Sequence, residues 1–246
     1  MKSVAIYSIK GGVGKTTLAV NLAWASATLS SRRTLLWDLD PQAAATFLLD
    51  GERLNGRDAK SVFARDLSPA RLLVGTAFDR LDLLPADTSL RELDRFFYDL
   101  GKKKRLEKLL DSLGADFDRI LLDCPPGLTE TSEQVLRAAD VIVVPVIPSP
   151  LSQRALEEVV AHLDRKGLRR GAVLPVYSMV DRRRRLHVEA LESNPKWPVI
   201  PMASLFEQMS ISRRPAGEIA RRSPGAAAIA DLWTAIEKRL AGPAKA

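Results

Sequence analysis

The chain has 246 residues, of which 46% are hydrophobic and 27% charged, so it is long enough to bury a core and has a globular composition. A single cysteine, Cys124, excludes an intrachain disulfide, and no apolar run approaches the roughly 18 residues of a membrane-spanning helix. The net charge of +7 is concentrated in residues 165–222, which carry 13 Lys and Arg against 5 Asp and Glu. This asymmetry favours a polyanionic partner over the alternative of a solvated basic surface.

Short apolar runs alternate with amphipathic stretches along the chain, a pattern typical of a parallel sheet covered by helices. The predicted strands are Ser3–Ile9, Thr34–Asp38, Leu81–Pro85, Arg119–Asp123, Val141–Val146, Gly171–Met179 and Pro198–Pro201. The predicted helices are Lys15–Leu29, Lys103–Leu113, Thr131–Ala139, Leu151–Lys166 and Ala226–Leu240. We therefore expect an α/β fold with a doubly wound, mostly parallel sheet and helices on both faces.

Two stretches give no clear pattern. Gly51–Ala70 is polar and weakly periodic, and we expect Gly242–Ala246 to fray. The N-terminus lacks a signal-peptide pattern. We expect a single domain, residues 1–246, in the cytoplasm.

A glycine-rich loop, Lys10–Thr17, joins the first predicted strand to the first predicted helix. Its glycines allow backbone N–H groups to converge on phosphate oxygens, and the helix N-terminus adds a favourable dipole. We expect Lys15 to reach the β- and γ-phosphates and the Thr16 hydroxyl to bind Mg²⁺. A standard P-loop would have glycine where Ile9 stands. The predicted nucleotide-binding residues of this loop are Lys10, Gly11, Gly12, Val13, Gly14, Lys15, Thr16 and Thr17.

Two carboxylates follow the second predicted strand. Period-2 alternation places Asp38 and Asp40 on one side of the chain, while Leu39 points the other way. The carboxyl ends of strands in a doubly wound sheet face the ligand crevice, where two carboxylates suit metal-bound water and an attacking water.

The loop Lys10–Thr17 resembles the deviant Walker A box of the ParA/MinD class of ATPases, whose cofactors are ATP and Mg²⁺. The resemblance implies that Lys10 reaches across a nucleotide-sandwich dimer to the partner's phosphates, and that Lys10, Lys15 and Asp40 form the catalytic set. Asp38 would lie near the water shell of Mg²⁺, and Asp40 would position the hydrolytic water.

Two further segments resemble motifs of the same class. Ile120–Gly127 is similar to its Walker B motif, so Asp123 would join Thr16 and Asp38 at the metal. Val141–Pro145 with Pro148–Leu151 is similar to the following strand and loop, and Pro201 would line the adenine. The match is to the small form without an N-terminal helix-turn-helix domain, so we expect no operator-specific autorepression.

Arginines form three clusters in the basic stretch, at residues 182–185, 213–214 and 221–222. The resemblance implies non-specific DNA binding by the dimer, and arginines that contact phosphates give affinity without base information. The predicted DNA contacts are Arg182, Arg185, Arg213, Arg214, Arg221 and Arg222. A fourth basic run, Gly101–Arg105, is better interpreted as a solvated helix start.

The resemblance predicts a partition or cargo-positioning ATPase. ATP would drive homodimer formation, the dimer would bind nucleoid DNA, and a ParB-like or cargo-adaptor protein would stimulate hydrolysis and release. Two alternatives stay open: a MinD-like regulator at a membrane surface, and a biosynthetic enzyme of the same fold. The last helix carries both acidic and basic residues, so packing of Ile229, Trp233 and Ile236 against the sheet is favoured over membrane binding.

Overall fold

The computed structural model describes residues 1–49, 58–64, 68–101, 104–168 and 171–242. These residues contain one sheet of eight strands in the order β3-β4-β2-β5-β1-β6-β7-β8. Neighbouring strands are parallel except for the β3–β4 pair at one edge, which is antiparallel. The strands are β1 (Lys2–Ile6), β2 (Thr34–Asp38), β3 (Val74–Gly75), β4 (Leu81–Leu84), β5 (Arg119–Asp123), β6 (Val141–Val146), β7 (Ala172–Val180) and β8 (Val199–Pro201).

Helices cover both faces of this sheet, as predicted. The helices are α1 (Lys15–Leu29), α2 (Ala44–Leu48), α3 (Ser61–Ala64), α4 (Leu93–Leu100), α5 (Arg105–Leu113), α6 (Glu130–Ala138), α7 (Pro150–Lys166), α8 (Arg185–Ser193), α9 (Ser204–Ser212), α10 (Ala216–Ile219) and α11 (Pro224–Leu240). Short 3-10 turns occupy Pro69–Arg71 and Thr88–Glu92. Helices α3 to α8 pack on one face, and α1, α2 and α9 to α11 pack on the other.

The central strands are apolar because both of their faces are covered. β2 and β6 are buried along their whole length. Alternate residues of β1 point to opposite cores, with Val4 in the α1 core and Ala5 in the α4–α7 core. This arrangement brings the carboxyl ends of β1, β2 and β5 to one edge of the sheet, where the candidate site lies.

The predicted and observed element boundaries agree best beside the glycine loop. α1, β2, β5 and β6 have the predicted boundaries, whereas β1 ends at Ile6 instead of Ile9 because the chain turns away to form the loop. Several elements were missed: β3, α2, α3, α4, α8, α9 and α10. Residues 50–57, 65–67, 102–103, 169–170 and 243–246 lie outside the described residues, as do the parts of Gly51–Ala70, Gly101–Arg105 and Gly242–Ala246 that fall on them.

The last helix, α11, packs against α1 as the sequence pattern predicted. Ile229, Trp233 and Ile236 are buried in the same core as Leu18 and Leu22 of α1. Within the described part of the chain, no helix has the length and apolar character needed to cross a membrane. The single-domain organisation of residues 1–246 stays a prediction.

Candidate functional site

The glycine loop ends in an open helix N-terminus. Gly12 has a φ of 70° and Gly14 a φ of 89°, both in the left-handed region that glycine adopts without strain. Gly14 is the N-cap of α1 and offers no capping side chain. The first N–H groups of α1 therefore remain available to an anion, and space around Gly11 and Gly12 is open.

Gly14 also sits close to strand β7. A methyl group at this position would lie 3.1 Å from the Ser178 Oγ, and that hydroxyl donates a hydrogen bond of 2.9 Å to the carbonyl of Val13. Ser178 thus fixes the loop from a strand 165 residues downstream. The loop signature alone gives no indication of this contact.

Lys15 is folded back into the loop. Its side chain is 7% exposed, and its Nζ donates a hydrogen bond of 3.0 Å to the carbonyl of Lys10. Burial lowers the pKa of Lys15, while the negative charge of Asp123 opposes this shift. A buried ammonium group at the start of a helix is a strong anchor for a phosphate.

Asp38 and Asp123 stand side by side at the ends of β2 and β5. Both are fully buried, and burial raises the pKa of Asp38 to about 6. Burial and the neighbouring Asp38 raise the pKa of Asp123 well above its usual value, although the Thr16 hydroxyl favours its charged form. Two adjacent buried carboxylates repel each other, so a cation between them would be stabilised.

The two carboxylates differ in their hydrogen bonds. Asp38 accepts from the backbone N–H and hydroxyl of Thr46, at 2.9 and 2.8 Å, and from the Asp40 N–H at 3.1 Å. Neither oxygen of Asp123 has a hydrogen-bond partner of normal geometry within the described residues. Buried polar groups are seldom left without partners, so the Asp123 carboxylate is available to a cation. A hard cation such as Mg²⁺ prefers such oxygens.

Asp40 lies two residues after Asp38, beyond the end of β2. It is half-buried, while the intervening Leu39 is buried in the opposite core, as the alternation predicted. The Gln42 N–H donates to the Asp40 Oδ1 at 2.9 Å, which fixes the turn that follows β2. Asp40 can therefore present its second oxygen to a ligand at the loop.

Pro201 borders the same region. A cavity of about 180 Å³ lies beside the loop, and its lining includes Gly14, Thr17, Ser178, Pro201 and Phe206. The structure thus brings Pro201 to the start of α1, across a large separation in sequence. Met179 in this lining has a φ of 56°, an uncommon backbone conformation for a non-glycine residue.

The arginine clusters lie outside this cavity. Residues 182–185 are exposed, but Arg185 pairs with Glu189 at 2.6 Å, and Arg183 binds both oxygens of Asp181. Arg182 and Arg184 have no acidic partner among the described residues. Exposed pairs of this type are weak. Of the two predicted DNA contacts in this cluster, Arg182 and Arg185, only Arg185 has an acidic partner among the described residues, and both stay predictions.

The second and third clusters lie elsewhere on the chain surface. Arg213 packs its guanidinium 4.3 Å above the Phe47 ring, and it lines a cleft of about 510 Å³ together with Arg214. Arg221 and Arg222 are exposed in the turn before α11. No sequence signal predicted the Phe47 contact, because Phe47 belongs to a short helix that the pattern did not indicate.

These features define a P-loop ATPase: a mostly parallel sheet of eight strands, with a glycine loop, a buried lysine and two buried aspartates at one edge. Residues 1–169 match the family described as an AAA domain. The chain is 29% identical over 205 residues to the sporulation initiation inhibitor protein Soj of Bacillus subtilis (strain 168), covering 80% of this chain and 79% of Soj. It is 30% identical over 197 residues to the chromosome partitioning protein ParA of Caulobacter vibrioides, covering 76% of this chain and 72% of that protein.

Solved structures agree with this assignment. The cell division ATPase MinD of Pyrococcus furiosus has a TM-score of 0.80 and 26% identity, covering 96% of this chain and 98% of MinD. Cobyrinic acid a,c-diamide synthase from Mycobacterium smegmatis, with a bound ATP analogue and magnesium, has a TM-score of 0.81 and 27% identity, covering 100% of this chain and 97% of that one. The chain belongs to the ParA family within the ParA/MinD ATPases, and it is an ATPase involved in partitioning or positioning.

Proposed function

We propose that this ATPase binds Mg-ATP at residues 10–17 and uses its hydrolysis to control DNA binding in a partition or cargo-positioning system. The observation that carries the proposal is that a buried lysine of the glycine loop, Lys15, lies near a buried carboxylate, Asp123, whose oxygens have no hydrogen-bond partner among the described residues. A cation–phosphate ligand satisfies both groups at once. An ATP analogue and magnesium are bound in the similar diamide synthase structure.

The residues of the loop and of the strand ends beside it have different roles. Backbone N–H groups from Gly11 to Thr17 surround the phosphates, and Lys15 exchanges its bond to the Lys10 carbonyl for one to a phosphate oxygen. Thr16, Asp38 and Asp123 would hold the metal, which would supply positive charge next to the transferred phosphoryl group.

The attacking water and the second lysine come from groups at the rim of the site. Asp40 orients the water through the oxygen that does not hold Gln42. Lys10 is half-exposed on the loop, so it can reach the phosphates of a partner subunit in a nucleotide-dependent homodimer. Pro201 contacts the adenine from the cavity beside Gly14 and Thr17.

The dimer binds duplex DNA without sequence preference and so associates with the nucleoid. Three exposed arginine clusters support this role, and so does the confinement of the excess positive charge to residues 165–222. A ParB-like or cargo-adaptor protein stimulates hydrolysis and releases the dimer from DNA.

The decisive experiment measures binding to duplex DNA of arbitrary sequence with ATP, with ADP and without nucleotide, across a salt series. We expect ATP-dependent binding whose affinity falls steeply with salt, because phosphate contacts release counterions. Binding in no nucleotide state, with ATP binding intact, would contradict the proposal.

A charge-matched pair of variants separates direct phosphate binding from net charge. Arg221→Gln with Arg222→Gln should weaken DNA binding and make the salt slope shallower by about 1 for each arginine that binds a phosphate. Arg91→Gln with Arg95→Gln removes the same charge from the opposite face of the sheet, beside α4, and should have a smaller effect. Equal effects of the two pairs would favour the solvated-surface interpretation.

A biosynthetic role is the second candidate, and the similarity to the diamide synthase favours it specifically. Its test is ATP turnover in the presence of small carboxylate substrates, without DNA or a partner protein. The arginine clusters have no function in such an enzyme. A membrane-surface role is less well supported, because the apolar residues of α11 are buried against α1.

A further inference from the structure

Helix α1 borders both the nucleotide cavity and the arginine cleft, and helix α9 runs from the cavity to Arg213 at the cleft. At one end, Thr17 of α1 and Phe206 of α9 line the cavity beside the glycine loop. At the other end, Thr28 of α1 lines the cleft together with Arg213, which follows α9. A change at the first site can therefore reach the second through two rigid helices, provided that they move as one body.

Asn21 joins the two helices at the middle of α1. It is fully buried, and its Oδ1 accepts a hydrogen bond of 2.8 Å from the Ala216 N–H at the start of α10. Its Nδ2 donates to the Thr17 carbonyl at 2.7 Å and to the Met209 sulfur of α9 at 3.1 Å. A buried amide that bonds to groups on three helices fixes their relative position, because breaking one of these bonds leaves a buried polar atom without a partner.

Trp24 makes the second connection, one turn further along α1. Its indole N–H donates to the Glu218 carboxylate at 2.9 Å, and its ring packs directly on Gly217. A methyl group at Gly217 would approach the ring to 2.2 Å, so α10 can lie this close to α1 only with glycine there. Asn21 and Trp24 against Ala216, Gly217 and Glu218 are called the α1–α10 contact below.

The α1–α10 contact lies between two arginine pairs. Arg213 and Arg214 precede α10, and Arg221 and Arg222 follow it. Arg213 has a left-handed φ of 51° and stacks on Phe47, so the chain enters α10 in one defined conformation. Both pairs therefore flank a helix, α10, that is bonded to α1 through Asn21 and Trp24.

We propose that Asn21 and Trp24 are positioning residues that couple the nucleotide loop to the two arginine pairs. Through them, occupancy of the nucleotide cavity determines how the arginines are presented to DNA phosphates. This inference rests on the proposed DNA-binding function, but the α1–α10 contact exists whether or not DNA is the partner.

The test compares Trp24→Phe with Trp233→Phe. Trp24→Phe removes the indole hydrogen bond from α1 to Glu218 of α10, and Trp233→Phe removes one of similar length, 2.8 Å, from α11 to the Ser30 hydroxyl after α1. Trp233 holds α11 and not α10, so its variant controls for stability. DNA affinity is measured with a non-hydrolysable ATP analogue and with ADP, and affinity for the analogue is measured separately. Asn21→Leu is the second variant of the α1–α10 contact.

Trp24→Phe and Asn21→Leu should reduce the ratio of the two DNA affinities by about tenfold, a typical size for coupling between two sites. Trp24→Phe should bind the analogue normally, and Trp233→Phe should keep the wild-type ratio. Glu218→Gln preserves the acceptor for the indole and should also keep the ratio. A wild-type ratio in Trp24→Phe, or an equal loss in Trp233→Phe, would overturn the inference.

A readout without DNA separates this inference from the proposed function. Hydrogen exchange of residues 204–222 should respond to the ATP analogue in the wild type, and Trp24→Phe should abolish the response. If the wild type binds no DNA but shows this pattern, the proposed function fails and the coupling stands. No exchange response in the wild type, or the same response in Trp24→Phe, would refute the coupling.

Discussion

Replacing Asp123 with asparagine should stabilise the nucleotide-free protein and weaken its response to Mg-ATP. Asp123 is fully buried beside Asp38, and neither of its oxygens is hydrogen-bonded within the described residues. A buried acceptor left without a partner costs about 1–3 kcal/mol. Asparagine keeps the shape, removes the charge and offers a donor, so we expect the free energy of unfolding to rise by up to that amount.

The assay is thermal unfolding with and without Mg-ATP. For a chain of this size, each kcal/mol corresponds to a change in Tm of about 2–4 °C. A ligand at 100 times its Kd adds about 2.7 kcal/mol to the wild type, and the variant should gain clearly less because it has lost a metal ligand. The order of the two Tm values should therefore reverse: the variant has the higher Tm without ligand, and the wild type has the higher Tm with it.

Asp94→Asn is the matched control, because its carboxylate is satisfied. The Asp94 Oδ1 accepts from the N–H and the hydroxyl of Thr131, at 2.9 and 2.6 Å. This variant should be destabilised without ligand and should keep its gain from Mg-ATP. A destabilised Asp123→Asn would show that Asp123 supports the fold, and an undiminished gain from Mg-ATP would remove it from the metal site.

Three further substitutions test other parts of the argument. Lys15→Ala should weaken ATP binding by about 10–100-fold, the value of a charge-assisted bond, and calorimetry showing normal affinity would contradict the loop assignment. Asp40→Ala should bind ATP and dimerise but hydrolyse about 100–10,000-fold more slowly; wild-type phosphate release would exclude Asp40 from water positioning. Gly217→Ala should lower the free energy of unfolding by about 1–3 kcal/mol, since the new methyl would meet Trp24 at 2.2 Å, and unchanged urea denaturation would refute this packing.

The sequence predicted the elements whose ends are marked by glycine-rich or proline-containing turns. α1 begins at the glycine loop, β2 ends at an Asp-Leu-Asp-Pro turn, and β5 ends at Cys-Pro-Pro. Their apolar residues are buried on both faces, so the hydrophobic runs are continuous and easy to recognise. β3 was missed because it is a two-residue antiparallel edge strand, and α8 was missed because it begins inside an arginine run.

The parts of the site that could not be predicted depend on contacts between distant residues. Thr46 satisfies Asp38, and Ser178 fixes the glycine loop, yet neither residue belongs to a recognisable motif. Asn21 and Trp24 look like ordinary core positions of an apolar helix. Their function emerges only when the chain returns about 195 residues later to place Ala216 against Asn21.

Asp38 and Asp123 differ in how the surrounding chain holds them. Asp38 uses its oxygens to accept hydrogen bonds from Thr46 of α2 and from the N–H of Asp40 in the turn after β2. Asp123 makes no such bonds and is held in place by strand β5 alone. A cation that joins the two carboxylates would connect β5 to Asp38, which is bonded to Thr46 of α2, the helix whose Phe47 ring lies beneath Arg213.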